Sequence, residues 1–396
     1  MRVLHVVHEP PLPPYNGQRL VLASLLPHLR EAHEIRVLSL DGLRTGPVPP
    51  WLRLVPAPRG RLLEAASILG FLRGRPLRAD ATARALRTAL AEEIARFDPD
   101  LVHVGSEQLA PLWPAAAGRP ALLTALDAGY LNTEARVTMQ RGLMRLALQR
   151  QARNQRRFVT AEYPHYSAAV MVTPQDAEAV RALAPTADVR VIPNGVDVAR
   201  FAEAPAQRHE HRIVLHGAMS YPPNVDAALF AAREVLPLVR EQEPRAELVL
   251  VGRSPSAEVV ALADLPGVTV IGEVEDVAPW LTSATAYLCP MRRGTGIKNK
   301  LLEAMAAGAA CVVTPLALQG IPAEHWRDVL VGDGPTGLAA HVVAVLRDRG
   351  LADRLGDNGS ALVARHHSWE AAAAAYSSLF DEIVTDAGRG RTDSSD

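Results

Sequence analysis

The chain has 396 residues, more than one typical core accommodates, and this length indicates two domains of ordinary size. Its 42 basic and 43 acidic residues give a net charge of −1, and no basic-aromatic interleaving marks a nucleic-acid surface. Cys289 and Cys311 lack the spacing of a zinc site or disulfide scaffold and are typical of a reducing compartment. Without a secretory leader pattern or a membrane-spanning apolar run, we expect a cytoplasmic protein.

Short apolar runs in the first half of the chain predict the strands of a parallel sheet. They are continuous rather than alternating, as in strands buried on both faces. The runs are Val3 to Val7, Ile35 to Leu40, Leu101 to Val104, Ala121 to Leu126, Ala168 to Val172 and Val189 to Ile192. Longer helix-like segments separate them, and one ends at Phe97, since the Asp98-Pro pair disfavours continuation. This region is predicted to be an open α/β domain.

Residues 136–158 form an arginine- and glutamine-rich segment that predicts a helix with Leu143, Leu146 and Leu148 interspersed. Three interpretations are open: a solvated face, an acceptor-side lid, or a peripheral membrane contact. The composition favours the solvated face.

A second series of apolar runs predicts a second α/β domain. The runs are Arg212 to His216, Ala246 to Val251, Val268 to Ile271, Ala286 to Cys289 and Ala310 to Val313. The predicted organisation is a first domain at 1–195, a linker at 196–211, a second domain at 212–368, a final helix at 369–385 and a disordered tail at 386–396.

The stretch from Arg293 to Gly308 carries the clearest chemical signal in the sequence. Its glycines lie where a buried strand gives way to a helix, and free backbone N–H groups at such a turn bind anions. Glu303 follows on the helix among apolar residues. It suits vicinal hydroxyls such as those of a ribose, or else it pairs with Lys300 as an ordinary helix carboxylate.

Four collinear segments carry a resemblance to a known family: Pro10 to Gly17, Val191 to Asp197, Leu250 to Arg253, and Gly294 to Gly308. In this order the chain resembles the family 4 retaining glycosyltransferases of GT-B fold. The stretch from His216 to Asp226, with Phe230 and Ala232 to Pro237 after it, is similar to an exopolysaccharide- and exosortase-associated subgroup of sugar transferases.

This resemblance implies an α/β GT-B fold, in which two Rossmann-like domains with parallel sheets face each other across an active-site cleft. The second domain would hold a nucleoside diphosphate sugar and the first an acceptor, while the last helix crosses back to the first domain. The implied reaction transfers a hexose, with retention, to a hydroxyl of a glycan, glycolipid or small-molecule acceptor. No metal or other cofactor is implied. The nucleotide base, the sugar and the acceptor stay open.

The residues that match the family's donor site depart from its pattern in two places. The implied donor-binding residues are Gly17, Gly252, Arg253, Thr295, Gly296, Ile297, Lys298, Lys300 and Glu303. Thr295 stands where the family usually has a Glu. The stretch from Ala218 to Asn224 lacks the Arg and Lys that often bind the diphosphate.

A growing diphosphate charge still needs a cation. We assign that catalytic role to Lys298, at the helix mouth, and expect Lys300 to point outward. In the alternative interpretation these lysines form a solvated rim with Arg292 and Arg293.

Asp127 is the candidate catalytic residue of the first domain, because it follows a strand at the sheet edge where α/β proteins bind ligands. It either binds a sugar or acceptor hydroxyl or caps a helix. Weaker candidates for the same region are His103, Glu107, Glu162 and His165.

A different class of function is a non-catalytic nucleotide-sugar-binding or scaffold protein derived from this fold. Thr295 favours it, whereas Glu303 and the intact glycines favour an enzyme. An epimerase or phosphorylase is not supported, because neither a catalytic carboxylate set nor a cofactor lysine is evident.

Overall fold

The computed structural model describes residues 1–12, 17–41, 47–57, 61–76, 79–138, 140–202 and 208–392. The chain divides into two compact units, which we describe separately. Unit 1 comprises Met1–Pro193 and the C-terminal segment from Glu370, and unit 2 comprises Asn194–Trp369.

Within the described residues, unit 1 is built on a parallel seven-stranded sheet in the order β3-β2-β1-β4-β5-β6-β7. The strands are β1 (Arg2–Val7), β2 (Glu34–Leu40), β3 (Leu52–Val55), β4 (Leu101–Val104), β5 (Ala121–Thr124), β6 (Ala168–Met171) and β7 (Val189–Val191). β1 to β2 and β4 to β7 confirm the six predicted runs to within two residues at each end. β3 was not predicted. It lies at the sheet edge and is only half-buried beyond its first residue, so its apolar signal is weak.

Helices cover both faces of this sheet, as its continuous apolar strands require. They are α1 (Gly17–Ala32), α2 (Arg61–Leu72), α3 (Ala79–Phe97), α4 (Gly129–Val137), α5 (Gly142–Glu162) and α6 (Pro174–Leu183), with a 3₁₀ segment at Glu107–Ala116. The predicted helix end at Phe97 is confirmed. The single helix expected over 136–158 is wrong, because two helices meet there and Gly142 adopts a positive φ of 59°. Residue 139 lies outside the described residues.

Unit 2 repeats the design with six parallel strands in the order β10-β9-β8-β11-β12-β13 within the described residues. The strands are β8 (His209–His216), β9 (Glu247–Val251), β10 (Val268–Gly272), β11 (Ala284–Cys289), β12 (Ala310–Val313) and β13 (Leu330–Val331). The five predicted runs are confirmed, and the two-residue β13 was missed. Cys289 and Cys311 lie on neighbouring strands as buried free thiols, and burial raises the pKa of both.

The helices of unit 2 pack around this sheet. They are α7 (Val198–Ala202), α8 (Pro222–Phe230), α9 (Leu236–Gln242), α10 (Ala257–Val260), α11 (Ala278–Thr282), α12 (Asn299–Ala306), α13 (Gly334–Arg347) and α14 (Arg349–His366). On α12, Leu301, Leu302 and Met305 are fully buried, which fixes the rotation of this helix about its axis. The polar residues between them are thereby placed as well.

The segment predicted as a linker at 196–211 carries regular structure at both ends. Val196 bridges to Ser368, α7 follows, and β8 begins at His209. The first part of unit 1 ends at Pro193, two residues before the predicted domain end at 195. Residues 203–207 of the predicted linker lie outside the described residues.

The final helix, α15 (Trp369–Thr392), belongs to unit 1 from Glu370 onward. It runs past its predicted end at 385 and takes in the first residues of the predicted tail, up to Thr392. An ion pair one turn apart, between Arg389 and Asp386, supports the added turns. Residues 393–396 lie outside the described residues. In the described ranges no helix combines the length and apolar composition that a bilayer crossing requires.

The two sheets share one topological feature that predicts where ligands bind. In each sheet the first three strands are added in one direction, and the fourth is added on the other side of the first strand. The direction therefore switches between β1 and β4 in unit 1 and between β8 and β11 in unit 2. Open α/β sheets bind ligands beyond the carboxyl ends of the strands at such a switch point. Ligand sites are therefore expected beyond Val7 and Val104 in unit 1, and beyond His216 and Cys289 in unit 2.

Candidate functional site

Backbone loops pack tightly at the carboxyl ends of β8, β9 and β10. The N–H of Gly217 donates to the carbonyl of Val251 at 3.0 Å, and the N–H of Gly252 donates to the carbonyl of Gly272 at 2.7 Å. Gly252 has a φ of 149°, and a β-carbon there would overlap the carbonyl oxygen of Gly217. Only glycine permits this approach, which gives the predicted residue Gly252 a structural reason.

An open cavity of about 230 Å³ lies against these loops. Its lining residues come from all three strand ends and include His216, Gly217, Gly252, Arg253, Glu273 and Val277. The predicted residues Gly252 and Arg253 therefore lie together at the rim of unit 2's sheet.

Glu303 lies on α12 at the unit's switch point and contacts the end of β8. Its Oε2 is 2.7 Å from Nε2 of His216, a residue 87 positions earlier. The carboxylate side chain is 24% exposed, while His216 is 7% exposed. The histidine therefore orients a carboxylate that solvent still reaches, and the pairing with Lys300 considered from the sequence is replaced by this one.

Lys300 is turned into unit 2, so the expectation that it points outward is wrong. Its Nζ donates to Oδ1 of Asn224 and lies 3.7 Å from the sulfur of Met291. A β-carbon on Gly217 would lie 3.3 Å from the same nitrogen. Burial lowers the pKa of Lys300, although the neighbouring Cys289 and Glu303 oppose that shift. A cation thus stands at the end of β8, in the region where the sequence lacks the family's Arg and Lys.

Lys298, favoured from the sequence as the diphosphate cation, faces its own loop. Its Nζ lies 2.6 Å from the carbonyl oxygen of Gly296, 3.2 Å from that of Thr295 and 3.4 Å from that of Gly294. The residue is 6% exposed and precedes the first turn of α12. Its ammonium therefore satisfies converging carbonyls, a placement that differs from the predicted catalytic role.

The remaining residues of the strand-to-helix turn contact neighbouring side chains or backbone groups. Arg292 and Arg293 are half-exposed, and their guanidinium groups lie 2.9 Å and 3.6 Å from Oδ1 of Asp226 on α8. They match the solvated-rim interpretation. Ile297 packs against the core of unit 2, and Thr295 offers its carbonyl to Lys298.

The proline-rich stretch predicted to approach the donor is described only at its ends. Gly17 begins α1, and residues 13–16 lie outside the described residues. Its role in binding the donor stays a prediction.

In unit 1, Asp127 and Glu107 line one cavity at the carboxyl ends of β4 and β5. Asp127 accepts a hydrogen bond of 2.6 Å from Nδ2 of Asn132, and the N-cap position of α4 is Ala128. The cavity thus favours ligand contact over capping as the role of Asp127. Desolvation, together with the charge of Asp127, raises the pKa of Glu107 to about 8, against a hydrogen bond from the N–H of Gly129.

His103 belongs to a buried cluster instead of this cavity. Its Nε2 is 2.8 Å from Oγ1 of Thr124, and its ring centroid is 4.4 Å from that of His5. Phe380 on α15 contacts both rings. Burial lowers the pKa of His103 well below its ordinary value and that of His5 to about 3.

Glu162 and His165 have structural partners elsewhere in unit 1. Glu162 accepts hydrogen bonds from Arg75 at 2.6 Å and from the indole of Trp113 at 3.2 Å. The ring of His165 stacks on the same indole, with centroids 3.9 Å apart. Neither residue lines the cavity of Asp127 and Glu107.

The sequence contained a signal for Lys300 that motif spacing does not use. Of the 42 basic residues only Lys298 and Lys300 are lysines, and all others are arginines. Lysine and arginine differ in shape and hydration, so a chain that otherwise uses arginine has a local reason for these two. The structure shows both reasons. The Lys298 ammonium donates to the carbonyls of residues 294–296, and the Lys300 ammonium fits beside Gly217.

Both sheets have the strand order of a Rossmann fold, and in unit 2 a glycine-rich turn joins β11 to α12. These features define an α/β protein of GT-B fold. Comparison with known proteins agrees with this fold. Residues 15–200 match the model of Glycosyltransferase Family 4, and residues 210–348 match that of Glycosyl transferases group 1. Each match covers less than half of the chain, and together the two take in most of it.

The individual relatives match only part of the chain. A phosphatidyl-myo-inositol mannosyltransferase of Mycolicibacterium smegmatis is 36% identical over 171 residues, which cover 41% of this chain and 44% of that protein. That of Mycobacterium tuberculosis is 29% identical over 219 residues, covering 50% and 55%. The chain thus matches about half the length of these curated relatives. The resemblance to the exopolysaccharide-associated subgroup stays a prediction.

A solved structure, sucrose-phosphate synthase from Thermosynechococcus elongatus, is similar in fold. It aligns with a TM-score of 0.71 at 18% identity over 98% of this chain and 100% of its own. At this identity the similarity concerns the fold alone.

Proposed function

We propose that this protein is a retaining hexosyltransferase that uses a nucleoside diphosphate sugar. The observation that supports this most is the grouping of Glu303, His216 and Lys300 at the switch point of unit 2. An oriented carboxylate suits ribose hydroxyls, and a half-buried ammonium suits a diphosphate. Both groups lie on α12, and His216 at the end of β8 contacts Glu303, so one helix presents both chemistries together.

The proposed reaction needs few protein groups. The bond between the anomeric carbon and the diphosphate oxygen breaks while the acceptor oxygen bonds to that carbon on the same face. The acceptor proton passes to the leaving diphosphate. Lys300 stabilises the negative charge that develops on this leaving group, and its low-dielectric setting strengthens that interaction. Lys298 keeps the carbonyls of residues 294–296 turned toward itself and away from the phosphates.

We further propose a lipid-linked acceptor and a peripheral membrane contact. The curated relatives are named for a phosphatidyl-inositol acceptor. In this chain Leu143, Met144 and Leu146 are 85%, 57% and 62% exposed at the start of α5, where Arg141 and Arg145 are exposed as well. Apolar and basic residues exposed together favour an anionic membrane surface over a purely solvated face.

A donor panel tests the proposal. Purified protein is mixed with UDP-, GDP- and TDP-hexoses, and both the thermal shift and the slow hydrolysis of each donor are measured. We expect one nucleotide to raise the unfolding temperature and its sugar to be released in the same anomeric form. Donor binding without hydrolysis or transfer to any acceptor would instead support the non-catalytic binding protein. Release of the inverted anomer would overturn the retaining mechanism.

A further inference from the structure

A second cavity of unit 1 is lined mainly by cationic side chains. Its volume is about 270 Å³, and its lining residues come from α3, the 3₁₀ segment, the last residue of α5 and the segment before α3. The charged ones are Arg75, Arg84, Arg87 and Glu162. It shares no lining residue with the cavity of Glu107 and Asp127. Three guanidinium groups and one carboxylate give this second cavity an excess of positive charge.

The one carboxylate of this cavity is already engaged. Glu162 accepts hydrogen bonds from Nη1 of Arg75 at 2.6 Å and from Nε1 of Trp113 at 3.2 Å. Its side chain is only 8% exposed, so these two partners hold it in place. The charge of Glu162 is therefore matched by Arg75, and the positive excess comes from Arg84 and Arg87.

Arg84 and Arg87 lie one turn apart on α3, and both are exposed. Within the described residues neither side chain has an ion pair or a hydrogen bond. Other surface arginines of unit 1 do have carboxylate partners, as Arg156 has Glu134 at 3.0 Å. Like charges that are neighbours on a helix surface repel each other. An anion bound between these two guanidinium groups would remove that repulsion.

An aromatic wall stands beside the two cations. The indole of Trp113 is held by its hydrogen bond to Glu162 and stacks on the ring of His165, with centroids 3.9 Å apart and planes 16° apart. Pro111 and Pro114 line the cavity on either side of it in the sequence. The cavity therefore offers a fixed apolar surface for the uncharged part of a ligand as well as charge for its anionic part.

We propose that this cavity binds a phosphate monoester at Arg84 and Arg87. Two guanidinium groups without partners bring two positive charges, and a phosphate monoester carries about two negative charges near neutral pH, whereas a diester or a carboxylate carries one. Guanidinium forks also match phosphate oxygens bidentately. The organic part of the ester packs on Trp113. Because the residues of this cavity are separate from the proposed donor site, the inference does not depend on the proposed function.

Calorimetry on the full chain near neutral pH tests the inference. The probe is glycerol 3-phosphate, and dimethyl phosphate is the singly charged diester for comparison. We expect the monoester to bind about tenfold more tightly than the diester, because only the monoester matches both guanidinium groups. Equal binding of the two probes, or no binding of glycerol 3-phosphate, would overturn the proposal.

Variants locate the bound phosphate. The double change Arg84→Gln with Arg87→Gln should weaken glycerol 3-phosphate binding at least about tenfold, since two charge-assisted hydrogen-bonding groups are lost. Both positions are exposed, and an unchanged unfolding temperature verifies the fold. Arg96→Gln is the matched control, because Arg96 is exposed on the same helix and does not line the cavity. Unchanged binding in the double variant, or an equal loss in Arg96→Gln, would refute the site.

A variant of unit 2 separates this inference from the proposed function. Lys300→Ala should leave glycerol 3-phosphate binding at the wild-type value, while the double arginine variant should keep wild-type donor hydrolysis. Loss of probe binding in Lys300→Ala would assign the phosphate to the donor site and overturn the proposal. Absence of donor hydrolysis in the wild type would contradict the proposed function and leave the phosphate site standing.

Two sources can supply the phosphate monoester, a free metabolite or a lipid headgroup. Sedimentation with vesicles that contain phosphatidic acid, whose headgroup is a monoester, distinguishes them. Vesicle binding that the double arginine variant loses assigns the lipid. If that variant binds the vesicles as the wild type does but loses glycerol 3-phosphate, the ligand is a free metabolite. Either result, together with the loss of the soluble probe, supports the site.

Discussion

The two sheets share the strand order about their first strand, but the two sites described at their carboxyl edges differ in the charges of their side chains. At the edge of unit 2, the chain's two lysines stand among close-packed backbone loops with Glu303 and His216. At the edge of unit 1, carboxyl and amide side chains line the cavity, and no lysine, arginine or histidine lines it in the described ranges. The shared topology thus predicts where ligands bind, while a few residues after each strand give each site its own charge.

Removing the half-buried ammonium of Lys300 should reduce the positive charge available at the unit 2 edge. We expect Lys300→Ala to lower donor turnover by about 10²–10³-fold, because the leaving diphosphate loses its stabilising charge. Lys300→Arg should not restore it, since a planar guanidinium does not fit beside Gly217 and Asn224. Steady-state donor hydrolysis measures both. Arg293→Ala is the matched control on the exposed rim, and an equal loss there would refute the role of Lys300.

The Glu303 carboxylate at the same edge should contribute to binding of the nucleoside and not of the phosphates. Glu303→Gln should weaken nucleoside diphosphate binding by about 10–100-fold, because a charge-assisted hydrogen bond is lost. Inhibition by inorganic pyrophosphate should stay near the wild-type value in Glu303→Gln and weaken in Lys300→Ala. Competition assays with both inhibitors measure this. If both variants lost pyrophosphate binding equally, the division of labour would be wrong.

Acid should lower the free energy of unfolding of unit 1 more than that of unit 2. The unfolded chain protonates His5 below its ordinary pKa of 6.5, whereas the folded chain does so only near 3. This residue's contribution is therefore complete above pH 6.5 and falls by about 1.4 kcal/mol per pH unit as the pH drops.

Hydrogen exchange at pH 7 and 5 should show β1 and β4 opening before β8 and β11. His5→Phe should reduce the difference, and the exposed His366→Gln in unit 2 should not. Earlier opening of β8 and β11 in the wild type would contradict this expectation.

The smallest expected effect concerns the surface of α5. Leu143→Asp should reduce binding to vesicles that contain phosphatidylglycerol by about fivefold, through loss of apolar contact and added negative charge. Vesicle sedimentation measures the change, with phosphatidylcholine vesicles as the uncharged comparison. Val260→Asp, on exposed α10 of unit 2, is the matched control. Equal losses from both changes would exclude a specific lipid contact by unit 1.

The sequence predicted most strands because they are buried on both faces and therefore continuously apolar. The exceptions, β3 and β13, are short edge strands with little apolar signal. The break between α4 and α5 was missed because the apolar periodicity of the segment does not change at Gly142. The fold class followed from these runs and from the family resemblance, and the matched family models agree with it.

The site was predicted only in part, because its partnerships join distant positions. Glu303 was found from its apolar helix, but its partner His216 comes from another strand. Lys300 was expected to point outward because it lies farther from the helix mouth than Lys298, but burial of Leu301 and Leu302 turns it inward as well. Glu107 was only a weak candidate, because its raised pKa depends on burial and on Asp127, which the sequence does not place.

The position of α15 has a consequence for synthesis of the chain. Tyr376 and Phe380 pack against His5, His103 and His33, so unit 1 buries its central histidines with residues that are made after all of unit 2. Unit 2 is continuous from Asn194 to Trp369 and contains all of its own strands. On the ribosome, therefore, the second unit can complete its fold first, while the N-terminal sheet waits for α15.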